Sequence, residues 1–363
     1  MNRNRIILSG GGTGGHIYPA ISIASELLFR DNNSEILFVG ANHKMEMQIV
    51  PKYGFDILGL WISGFNRTNF LKNILVPLKL LISVFQSLII IKKFKPNVVI
   101  GTGGYASGPI MYVANLLNIP TLIQEQNSYP GITNKLLSKR VNKICVSYEN
   151  LEKYFPKNKI VITGNPVRSN ISKYSDLFDK GIKSFDLNAN KKTMLVIGGS
   201  LGSREINKAI YSIQDYLKYI NLQVIWQCGN LYYEEYKQKD ISSDIKLYNF
   251  LDDIALAYSV SDFIISRAGA SSVSELSIVG KPVIFIPSPN VAENHQLKNA
   301  MAVVKNEGAL LVEEKNINDL KKSISELNSS SELRNKLSKN IKKTAFTNAT
   351  SDIVDEINKL INE

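Results

Sequence analysis

Cysteine and histidine are scarce in this sequence, whose 363 residues include two cysteines and three histidines. Cys145 and Cys228 stand far apart in apolar segments typical of strands. They predict buried, reduced thiols in a cytosolic protein, not a disulfide framework or a Cys-x-x-Cys site. Because the histidines are scattered and no Asp-x-Asp occurs, we expect no metal site, no metal clamp on a diphosphate and no other cofactor.

Long apolar runs are also missing. The most apolar segment, residues 70–94, has an uncharged run of only 12 residues, 80–91, whereas a membrane-spanning helix needs about 20. The start of the chain is charged, and its apolar stretch before the first glycines is too short for a signal peptide. We therefore expect neither a transmembrane helix nor a signal peptide.

Acidic residues are few in the first half of the chain. Residues 1–167 hold 18 Lys and Arg against 8 Asp and Glu, whereas residues 168–363 hold 25 against 24. The net charge of +11 is therefore almost wholly N-terminal, which favours an acidic partner such as a membrane surface, an anionic lipid or nucleic acid. An incidental bias towards lysine is the alternative interpretation.

The apolar segment 70–94 also carries lysines, namely Lys72, Lys79, Lys92 and Lys93. One interpretation is a helix buried between a sheet and its neighbours. The other is a helix whose outer face, with Trp61 and Phe65 of the preceding loop, enters a lipid headgroup layer. On anionic lipid each nearby Lys or Arg would then add about 1 kcal/mol of binding energy.

Strand-like and helix-like segments alternate along the whole chain, which predicts an α/β fold with parallel sheets. The segments form two series, each opened by a glycine-rich turn, so we predict two doubly wound, Rossmann-like domains facing each other across a cleft. The predicted strands are residues 5–9, 36–39, 98–101, 121–124, 143–146 and 160–163, then 193–197, 223–227, 246–249, 263–266, 283–286 and 309–312.

The two predicted domains meet at a hinge near residues 164–168. The N-terminal domain then covers residues 1–167, and the C-terminal domain covers residues 168–345. Residues 346–363 are predicted to form a helix that packs back on the first domain. Residues 174–190 predict a polar connecting loop.

The first glycine turn, Gly-Gly-Gly-Thr-Gly-Gly at residues 10–15, lies between a strand and a helix and is followed by His16. Such a turn lets backbone N–H groups approach a ligand, and the helix N-terminus attracts a phosphate or a developing anion. The spacing also fits a dinucleotide fingerprint, but no acid ends the second strand, which disfavours NAD. A turn that serves only tight packing is the alternative.

A second glycine turn, residues 101–109, follows another strand of the same domain. Because the carboxyl ends of parallel strands share one edge of a sheet, we expect both turns to border one anion-binding crevice. A plain packing turn is again the alternative. Residues 124–127, Gln-Glu-Gln-Asn, end the next strand, and such side chains can hydrogen-bond to sugar hydroxyls or an acetamido group.

The second domain carries its own candidate turns at residues 198–203, 266–275 and 287–296. In residues 266–275, Ser271 or Ser272 can cap a helix whose N–H groups face a ligand. Glu275, one turn further, can accept both hydroxyls of a ribose, with compensation of the helix dipole as the alternative. Residues 287–296 end in the adjacent hydrogen-bonding side chains of His295 and Gln296. Arg168 is the arginine best placed to meet the charge of a leaving group.

Taken in order, these motifs resemble the MurG-type undecaprenyldiphospho-muramoylpentapeptide β-N-acetylglucosaminyltransferases of glycosyltransferase family 28. The matching segments run through the whole chain: GGTGGHIYPA, GTGGYASGP, QEQN, GNPVR, GGSLGS, SRAGASSVSEL and NHQLKNA. The resemblance implies a GT-B fold and a metal-independent, inverting transfer of GlcNAc. The donor would be UDP-GlcNAc, and the acceptor would be the MurNAc 4-hydroxyl of undecaprenyl-pyrophosphoryl-MurNAc-pentapeptide, or lipid I.

The resemblance also implies roles for individual residues. Thr13, Gly14 and Gly15 would border the donor sugar and the acceptor, and Asn127 would contact GlcNAc. Some relatives carry Gln-Gln where this chain has His295-Gln296. The remaining implied contacts are with the donor: Arg168 and Ser200, the latter near the phosphates; Leu251, with its backbone against uracil; Ala270, Ser271, Ser272, Val273, Ser274 and Glu275, on phosphate and ribose; and His295 and Gln296, on sugar hydroxyls.

His16 is our candidate for the base that takes the proton of the acceptor hydroxyl, since an unperturbed imidazole is mostly neutral at pH 7. The rival interpretation is that His16 only orients the loop or the acceptor diphosphate. The implied partners are UDP-GlcNAc, lipid I, the anionic cytoplasmic face of the plasma membrane and other cell-wall synthesis proteins, but not nucleic acid. A UDP-sugar epimerase of the same fold, a two-domain binding protein and an NAD oxidoreductase are the alternatives.

Overall fold

The computed structural model describes residues 3–65, 73–167, 174, 176–199, 201–291 and 294–362. The chain divides into two compact units. The first comprises Met1–Val167 with Asn348–Glu363, and the second comprises Arg168–Thr347. Each unit is built on one parallel sheet with connecting helices, so the predicted α/β class with two doubly wound domains is confirmed.

The sheet of the first unit has the strand order β3-β2-β1-β4-β5-β6-β7, and every described pairing is parallel. Its inner strands are apolar and buried because helices cover both faces. The strands are β1 (Arg5–Gly10), β2 (Glu35–Ala41), β3 (Asp56–Leu60), β4 (Val98–Gly103), β5 (Thr121–Glu125), β6 (Lys143–Val146) and β7 (Ile160–Ile162).

Helices cover both faces of this first sheet. Ile6 and Leu8 belong to the apolar cluster on one face and Ile7 to the cluster on the other, as the alternation of side chains along a strand requires. The helices of the first unit are α1 (Gly14–Arg30), α2 (Glu46–Ile49), α3 (Val76–Phe94), α4 (Ser107–Leu116), α5 (Ile132–Leu137) and the C-terminal α15 (Ala349–Asn362).

The C-terminal helix α15 packs on the first unit although it follows the second unit in sequence. Arg30 of α1 donates a 2.5 Å hydrogen bond to Asp355 and another to the carbonyl of Ser351. Four buried side chains of α15 lie in the cluster that contains Ile6 and Leu8, namely Ile353, Val354, Ile357 and Leu360. The last helix is therefore part of the core of the first unit.

The sheet of the second unit has the order β10-β9-β8-β11-β12-β13, again with parallel pairings. Its strands are β8 (Lys192–Ile197), β9 (Leu222–Gln227), β10 (Ile245–Tyr248), β11 (Phe263–Ser266), β12 (Val283–Phe285) and β13 (Leu310–Leu311). Its helices are α6 (Phe178–Ser184), α7 (Arg204–Ser212), α8 (Gln214–Tyr219), α9 (Tyr233–Lys237), α10 (Ile254–Val260), α11 (Ala270–Val279), α12 (His295–Val304), α13 (Leu320–Ser329) and α14 (Ser331–Lys342).

Both sheets follow the Rossmann order 3-2-1-4-5-6, with one further strand in the first unit. In this topology the strand order reverses between β1 and β4 in the first unit, and between β8 and β11 in the second. Ligands of open α/β sheets bind outside the carboxyl ends of the strands at that switch point. The turns that follow these four strands are therefore where each unit is expected to bind a ligand.

The structure differs from the predicted elements in two places. Strand β3 was not predicted, because this edge strand starts at Asp56, has a glycine within it and is only partly buried. Residues 174–190 do not form a plain loop, since they include helix α6. Gly181 of α6 packs tightly on α10, where a Cβ at that position would lie 2.6 Å from Cγ1 of Val260.

Helix α3 has an unusual distribution of side chains. It buries Ser83, Ser87 and Ile91, and the two serine hydroxyls are satisfied by the carbonyls of Leu80 and Ser83 at 2.8 and 2.7 Å. Several of its large apolar side chains are exposed, including Leu78, Leu81, Phe85 and Ile89. Among the described residues, no helix is long and apolar enough to cross a membrane.

Candidate active site

The two glycine turns of the first unit touch each other at the switch point between β1 and β4. Gly11 donates its N–H to the carbonyl of Gly103 at 3.4 Å. Thr102 donates its hydroxyl to the carbonyl of His16 at 2.7 Å. A Cβ at Gly104, whose φ is +82°, would lie 2.3 Å from the carbonyl oxygen of Gly11. This glycine is therefore required for the close approach of the two turns.

The N-terminus of α1 lies open beside these turns. Thr13 is the N-cap residue in extended conformation, and its side chain makes no capping hydrogen bond. His16 and Ile17 donate their N–H groups to the carbonyl of Thr13. No described residue accepts from the N–H groups of Gly14 or Gly15. These two donors, with the partial positive charge of the helix end, form a site suited to an anion.

His16 is held in one tautomer by its neighbours. Its Nδ1 lies 3.0 Å from the carbonyl oxygen of Thr102 and 3.1 Å from Oε1 of Gln126. The amide nitrogen of Gln126 donates to the carbonyls of Thr102 and Gln124, so its oxygen faces the imidazole. Because a carbonyl oxygen can only accept, the proton of neutral His16 lies on Nδ1. Nε2 is then left with a lone pair, as a general base requires.

Residues 124–127 form mainly a scaffold. Gln124, Glu125 and Gln126 are buried, and Asn127 is the partly exposed member of the four. The carboxylate of Glu125 accepts from the backbone N–H of Asn127 at 3.0 Å, from that of Gly131 at 3.1 Å and from Asn134 Nδ2 at 2.8 Å. Among residues 124–127, which were predicted to contact a sugar, Asn127 is therefore the one whose side chain a sugar can reach.

In the second unit, residues 198, 199 and 201–203 lie between β8 and α7, at the switch point with β11. Ser203 caps α7 by accepting from the N–H of Ile206 at 3.4 Å. Gly202 has a φ of +85°, and a Cβ there would lie 2.0 Å from the carbonyl oxygen of Cys228. Two predicted site residues, Ser200 of this turn and Arg168, lie outside the residues that the structure describes.

Arg267 is a residue of this site to which the sequence motifs assigned no role. It donates to the carbonyl of Ile286 at 2.9 Å and to Oγ of Ser203 at 2.5 Å, and it pairs with Glu314. Its guanidinium thereby links the turns that follow β8, β11 and β12. The signal available in the sequence was a single arginine within the small residues of the turn at 266–270.

Helix α11 begins at Ala270, and the predicted cap was wrong. Its N-cap residue is Gly269, which is extended and makes no side-chain capping bond. Ser271 and Ser272 therefore lie inside the first turn. Oγ of Ser271 is buried without a hydrogen-bond partner among the described residues. An orphaned hydroxyl at a helix N-terminus is the environment in which a phosphate oxygen would be bound.

Glu275 lies one turn further along α11 and is oriented by a buried tyrosine. Tyr258 of α10 donates its hydroxyl to Oε1 of Glu275 at 2.6 Å, a length typical of a bond to a charged carboxylate. Ala270 and Val273 of the same helix are buried, whereas Ser272, Ser274 and Glu275 are partly exposed. Tyr258 is a second site residue that the sequence motifs did not include.

The remaining predicted donor contacts lie at the same edge of the second sheet. The N–H of Leu251, after β10, donates to Oε1 of Gln227 at 3.0 Å, and Nε2 of Gln227 donates to the carbonyl of Gly199. His295 and Gln296 open α12, and Oε1 of Gln296 accepts from the N–H of Ser288 at 2.9 Å. Leu251 is thereby connected to the turn at 198–203.

The predicted site residues thus form two groups. Residues 13–16 and Asn127 lie at the carboxyl edge of the first sheet, whereas Leu251, residues 270–275 and residues 295–296 lie at that of the second. In the described part of the chain, no cluster of three His, Cys, Asp or Glu side chains could hold a metal ion. Cys145 and Cys228 are buried free thiols, as predicted.

Comparison with known proteins identifies the family. The model of the glycosyltransferase family 28 N-terminal domain matches residues 6–146, and that of the family 28 C-terminal domain matches residues 193–357. A protein of Flavobacterium psychrophilum is 56% identical over 99% of this chain and 99% of its own length. It is named UDP-N-acetylglucosamine–N-acetylmuramyl-(pentapeptide) pyrophosphoryl-undecaprenol N-acetylglucosamine transferase.

Solved structures agree with this result. The crystal structure of MurG from Acinetobacter baumannii is 27% identical, with a TM-score of 0.78 over 98% of this chain and 99% of that chain. A UDP-GlcNAc 2-epimerase from Neisseria meningitidis, solved with UDP-GlcNAc, is 17% identical, with a TM-score of 0.69 over 98% of this chain and 100% of its own, and shares the fold alone. The chain therefore has the GT-B fold and belongs to the MurG-type N-acetylglucosaminyltransferases of glycosyltransferase family 28.

Proposed function

We propose that this chain catalyses the inverting transfer of GlcNAc from UDP-GlcNAc to the 4-hydroxyl of MurNAc in lipid I, which yields lipid II for peptidoglycan. The relative from Flavobacterium psychrophilum carries a transfer of this kind in its name. The structural observation that carries the proposal is the fixed tautomer of His16 beside the open N-terminus of α1. Such a base suits an acceptor with a hydroxyl to deprotonate, and an open helix N-terminus suits its diphosphate.

The first unit would act on the acceptor. Nε2 of His16 takes the proton of the MurNAc 4-hydroxyl while that oxygen forms a bond to C1 of GlcNAc. The bond between C1 and the diphosphate oxygen breaks on the opposite face, and UDP leaves with the electron pair. The transition state resembles an oxocarbenium ion. Thr13, Gly14 and Gly15 border the sugar and the acceptor, and Asn127 contacts GlcNAc.

The second unit would hold the donor. Residues 270–274 bind phosphate through the first turn of α11, where Oγ of Ser271 is without a partner among the described residues. Glu275 accepts from the ribose hydroxyls. Further residues of this chain would contact UDP-GlcNAc. Arg168 and Ser200 would bind the donor, with Ser200 near its phosphates. The backbone of Leu251 would contact uracil, and His295 and Gln296 would bind sugar hydroxyls.

We further propose that the reaction needs no metal. Helix N-termini and backbone N–H groups would stabilise the diphosphate as it leaves. Arg168 would add a full positive charge. The test is the transfer rate in excess EDTA, which we expect to equal the rate without it. Loss of activity in EDTA and its recovery on addition of Mg²⁺ would contradict this part of the proposal.

The surface of α3 is the proposed membrane contact, at the cytoplasmic face of the plasma membrane. Trp61 and Phe65 of the preceding loop are exposed as well, and the N–H of Trp61 donates to Oε1 of Gln86 in α3 at 2.9 Å. Lys79 lies 5.6 Å from the ring centre of Trp61, and Lys92 and Lys93 end the helix. An apolar face bordered by lysines matches the requirements of an anionic lipid surface, where a lipid-linked acceptor resides.

Other cell-wall synthesis proteins are proposed partners as well.

The test of the reaction is UDP release from UDP-GlcNAc, measured with and without a soluble lipid I analogue. We expect UDP release only with the acceptor, in equal amount to the disaccharide product formed. UDP release without acceptor would refute the transfer and favour an epimerase, whose fold this chain shares. The matched control is an acceptor analogue that lacks the MurNAc 4-hydroxyl, which must give no product.

A further inference from the structure

Glu46, a buried carboxylate of the first unit, has no role in the reaction described so far. It opens α2 and is 0% exposed. Its Oε1 accepts the N–H of Ala41, at the end of β2, at 3.0 Å, and its Oε2 accepts the N–H of Gly12 at 3.1 Å. Among the described residues, none forms an ion pair with it. The carboxylate therefore ties the glycine turn after β1 to the end of β2.

Two glycines provide the space that this carboxylate occupies. A Cβ at Gly11 would lie 2.2 Å from Oε1 of Glu46, and a Cβ at Gly40 would lie 2.6 Å from its Cγ. Tyr105 packs on the other side of the turn, 3.3 Å from where a Cβ of Gly12 would stand. Burial, and to a lesser extent the charge of Glu46, raise the pKa of Tyr105. The carboxylate is thus part of the construction of the turn.

The bond to Glu46 determines which N–H groups of the turn face a ligand. Gly12 has a φ of +84°, and its N–H points to Glu46 and so is not available to an anion. In a dinucleotide-binding turn, by contrast, the second glycine lets the backbone approach the pyrophosphate, and an acid after the second strand binds the ribose. Here an acid after the second strand binds the second glycine instead. The N–H groups of Gly14 and Gly15 remain for the substrate.

We propose that Glu46 is a positioning residue for the acceptor. By holding Gly12, it sets the conformation of residues 10–15, and so aims the N–H groups of Gly14 and Gly15 and places His16 against Thr102. The inference rests on the proposed function, because it takes the acceptor as the ligand of this turn. Glu46 would touch neither substrate and would act through the backbone of the glycine turn.

The test compares Glu46→Gln with Asp31→Asn in the full chain. Glutamine is nearly isosteric but offers one acceptor oxygen in place of two, so one of the two backbone N–H groups would face an amide NH₂. Asp31 also accepts a backbone N–H, that of Asn33 at 3.1 Å, but it lies at the opposite edge of the sheet. For Glu46→Gln we expect kcat/KM for the acceptor to fall about tenfold or more. We expect the Kd of UDP to stay within about twofold, and Asp31→Asn to change neither quantity.

Hydrogen–deuterium exchange of peptides that span residues 10–18 gives a readout independent of activity. We expect faster exchange there in Glu46→Gln but not in Asp31→Asn. Unchanged acceptor kinetics and unchanged exchange would overturn the inference, as would equal losses of acceptor and UDP affinity, which indicate a general folding role. If Glu46→Gln does not fold, Glu46→Asp keeps the charge but shortens the side chain, and the same comparison applies. Failure of the wild-type chain to transfer GlcNAc would instead refute the proposed function.

Discussion

At the scale of single residues, the proposed role of His16 as a base depends on the partners of one imidazole nitrogen. His16 Nδ1 faces two acceptor oxygens, one of them a backbone carbonyl that has no proton to give. This arrangement leaves Nε2 able to accept a proton and holds the ring in one orientation. A base requires the lone pair on Nε2, whereas a residue that binds a diphosphate would have to donate a proton from Nε2.

The first prediction concerns His16→Ala. A positioned general base contributes typically about 10²–10⁴-fold to a rate, so we expect kcat to fall by at least about a hundredfold. The Kd of UDP should not change, because the proposed donor contacts lie in the other unit. Single-turnover kinetics and a UDP titration on the same preparation measure both quantities. A loss of kcat below about tenfold would leave His16 with an orienting role only.

The second prediction concerns Tyr258→Phe, which removes the hydroxyl that orients Glu275. A hydrogen bond to a charged group contributes about 1.5–3 kcal/mol, so we expect KM for UDP-GlcNAc to rise about tenfold or more. KM for the acceptor should not change. A donor with 2′-deoxyribose should show a much smaller difference between variant and wild type, since the ribose contact is already weakened.

Tyr219→Phe is the matched control for this experiment, because Tyr219 belongs to the same unit but is 85% exposed. It should leave all the kinetic constants unchanged. If Tyr258→Phe raised KM equally for the natural and the 2′-deoxy donor, the hydroxyl would not act through the ribose contact.

The sequence indicated the site residues that follow a local pattern and not those that act over a distance. The glycine turns and His16 are recognisable because strand, glycines and helix follow one another directly. Gln126 and Glu46 reach the first turn from 110 and 34 residues away. Tyr258 and Arg267 likewise gain their roles from packing. No spacing rule predicts such contacts, since they depend on which strands become neighbours.

At the scale of elements, α3 reverses the usual arrangement of a surface helix. Ile91 and the small Ser83 and Ser87 face the protein, where the serine hydroxyls bond to carbonyls of the same helix. Several large apolar side chains, among them Leu81, Phe85 and Ile89, are exposed instead. The sequence alone could not separate a buried helix from a lipid-facing one, because a helix that is apolar on most sides fits both. In the structure Leu81, Phe85 and Ile89 are exposed, which supports the proposed membrane contact.

The third prediction tests this surface with Phe85→Ser. Phe85 is 63% exposed on α3, and Phe29, which is 85% exposed on α1, provides the control variant Phe29→Ser. If Phe85 is buried in lipid, its side chain contributes about 1.5–3 kcal/mol to binding. Phe85→Ser should therefore weaken binding to anionic vesicles about tenfold or more in sedimentation assays. Phe29→Ser should bind like the wild type. Equal binding of all three proteins would refute α3 as the membrane contact.

The elements that the sequence did not predict have a common physical origin. Strand β3 is only partly buried and contains a glycine, and α6 is a short helix with a glycine and several charges. Both elements owe their conformation to the neighbour they pack on, and the secondary-structure propensity of their own residues does not include that contact. The buried central strands were predicted because burial on both faces demands a continuous apolar run.

At the scale of the whole molecule, the chain leaves the first unit, forms the second and returns to the first in α15. The fourth prediction is that Ile357→Ala destabilises the chain, because Ile357 is fully buried in the cluster with Ile6 and Leu8. A large-to-small change in a core costs about 2–5 kcal/mol, which denaturant unfolding measures. Ile132→Ala, at a 60% exposed position, should cost far less, and equal costs would contradict the packing described for α15.

The proposed mechanism requires that the second unit binds the nucleotide and that the glycine turn of the first unit does not. A crystal structure with bound UDP tests it most directly. We expect the diphosphate at the first turn of α11, within hydrogen-bond distance of Ser271, and the ribose hydroxyls on Glu275. Density for UDP at residues 10–15 instead, with α11 unoccupied, would contradict it.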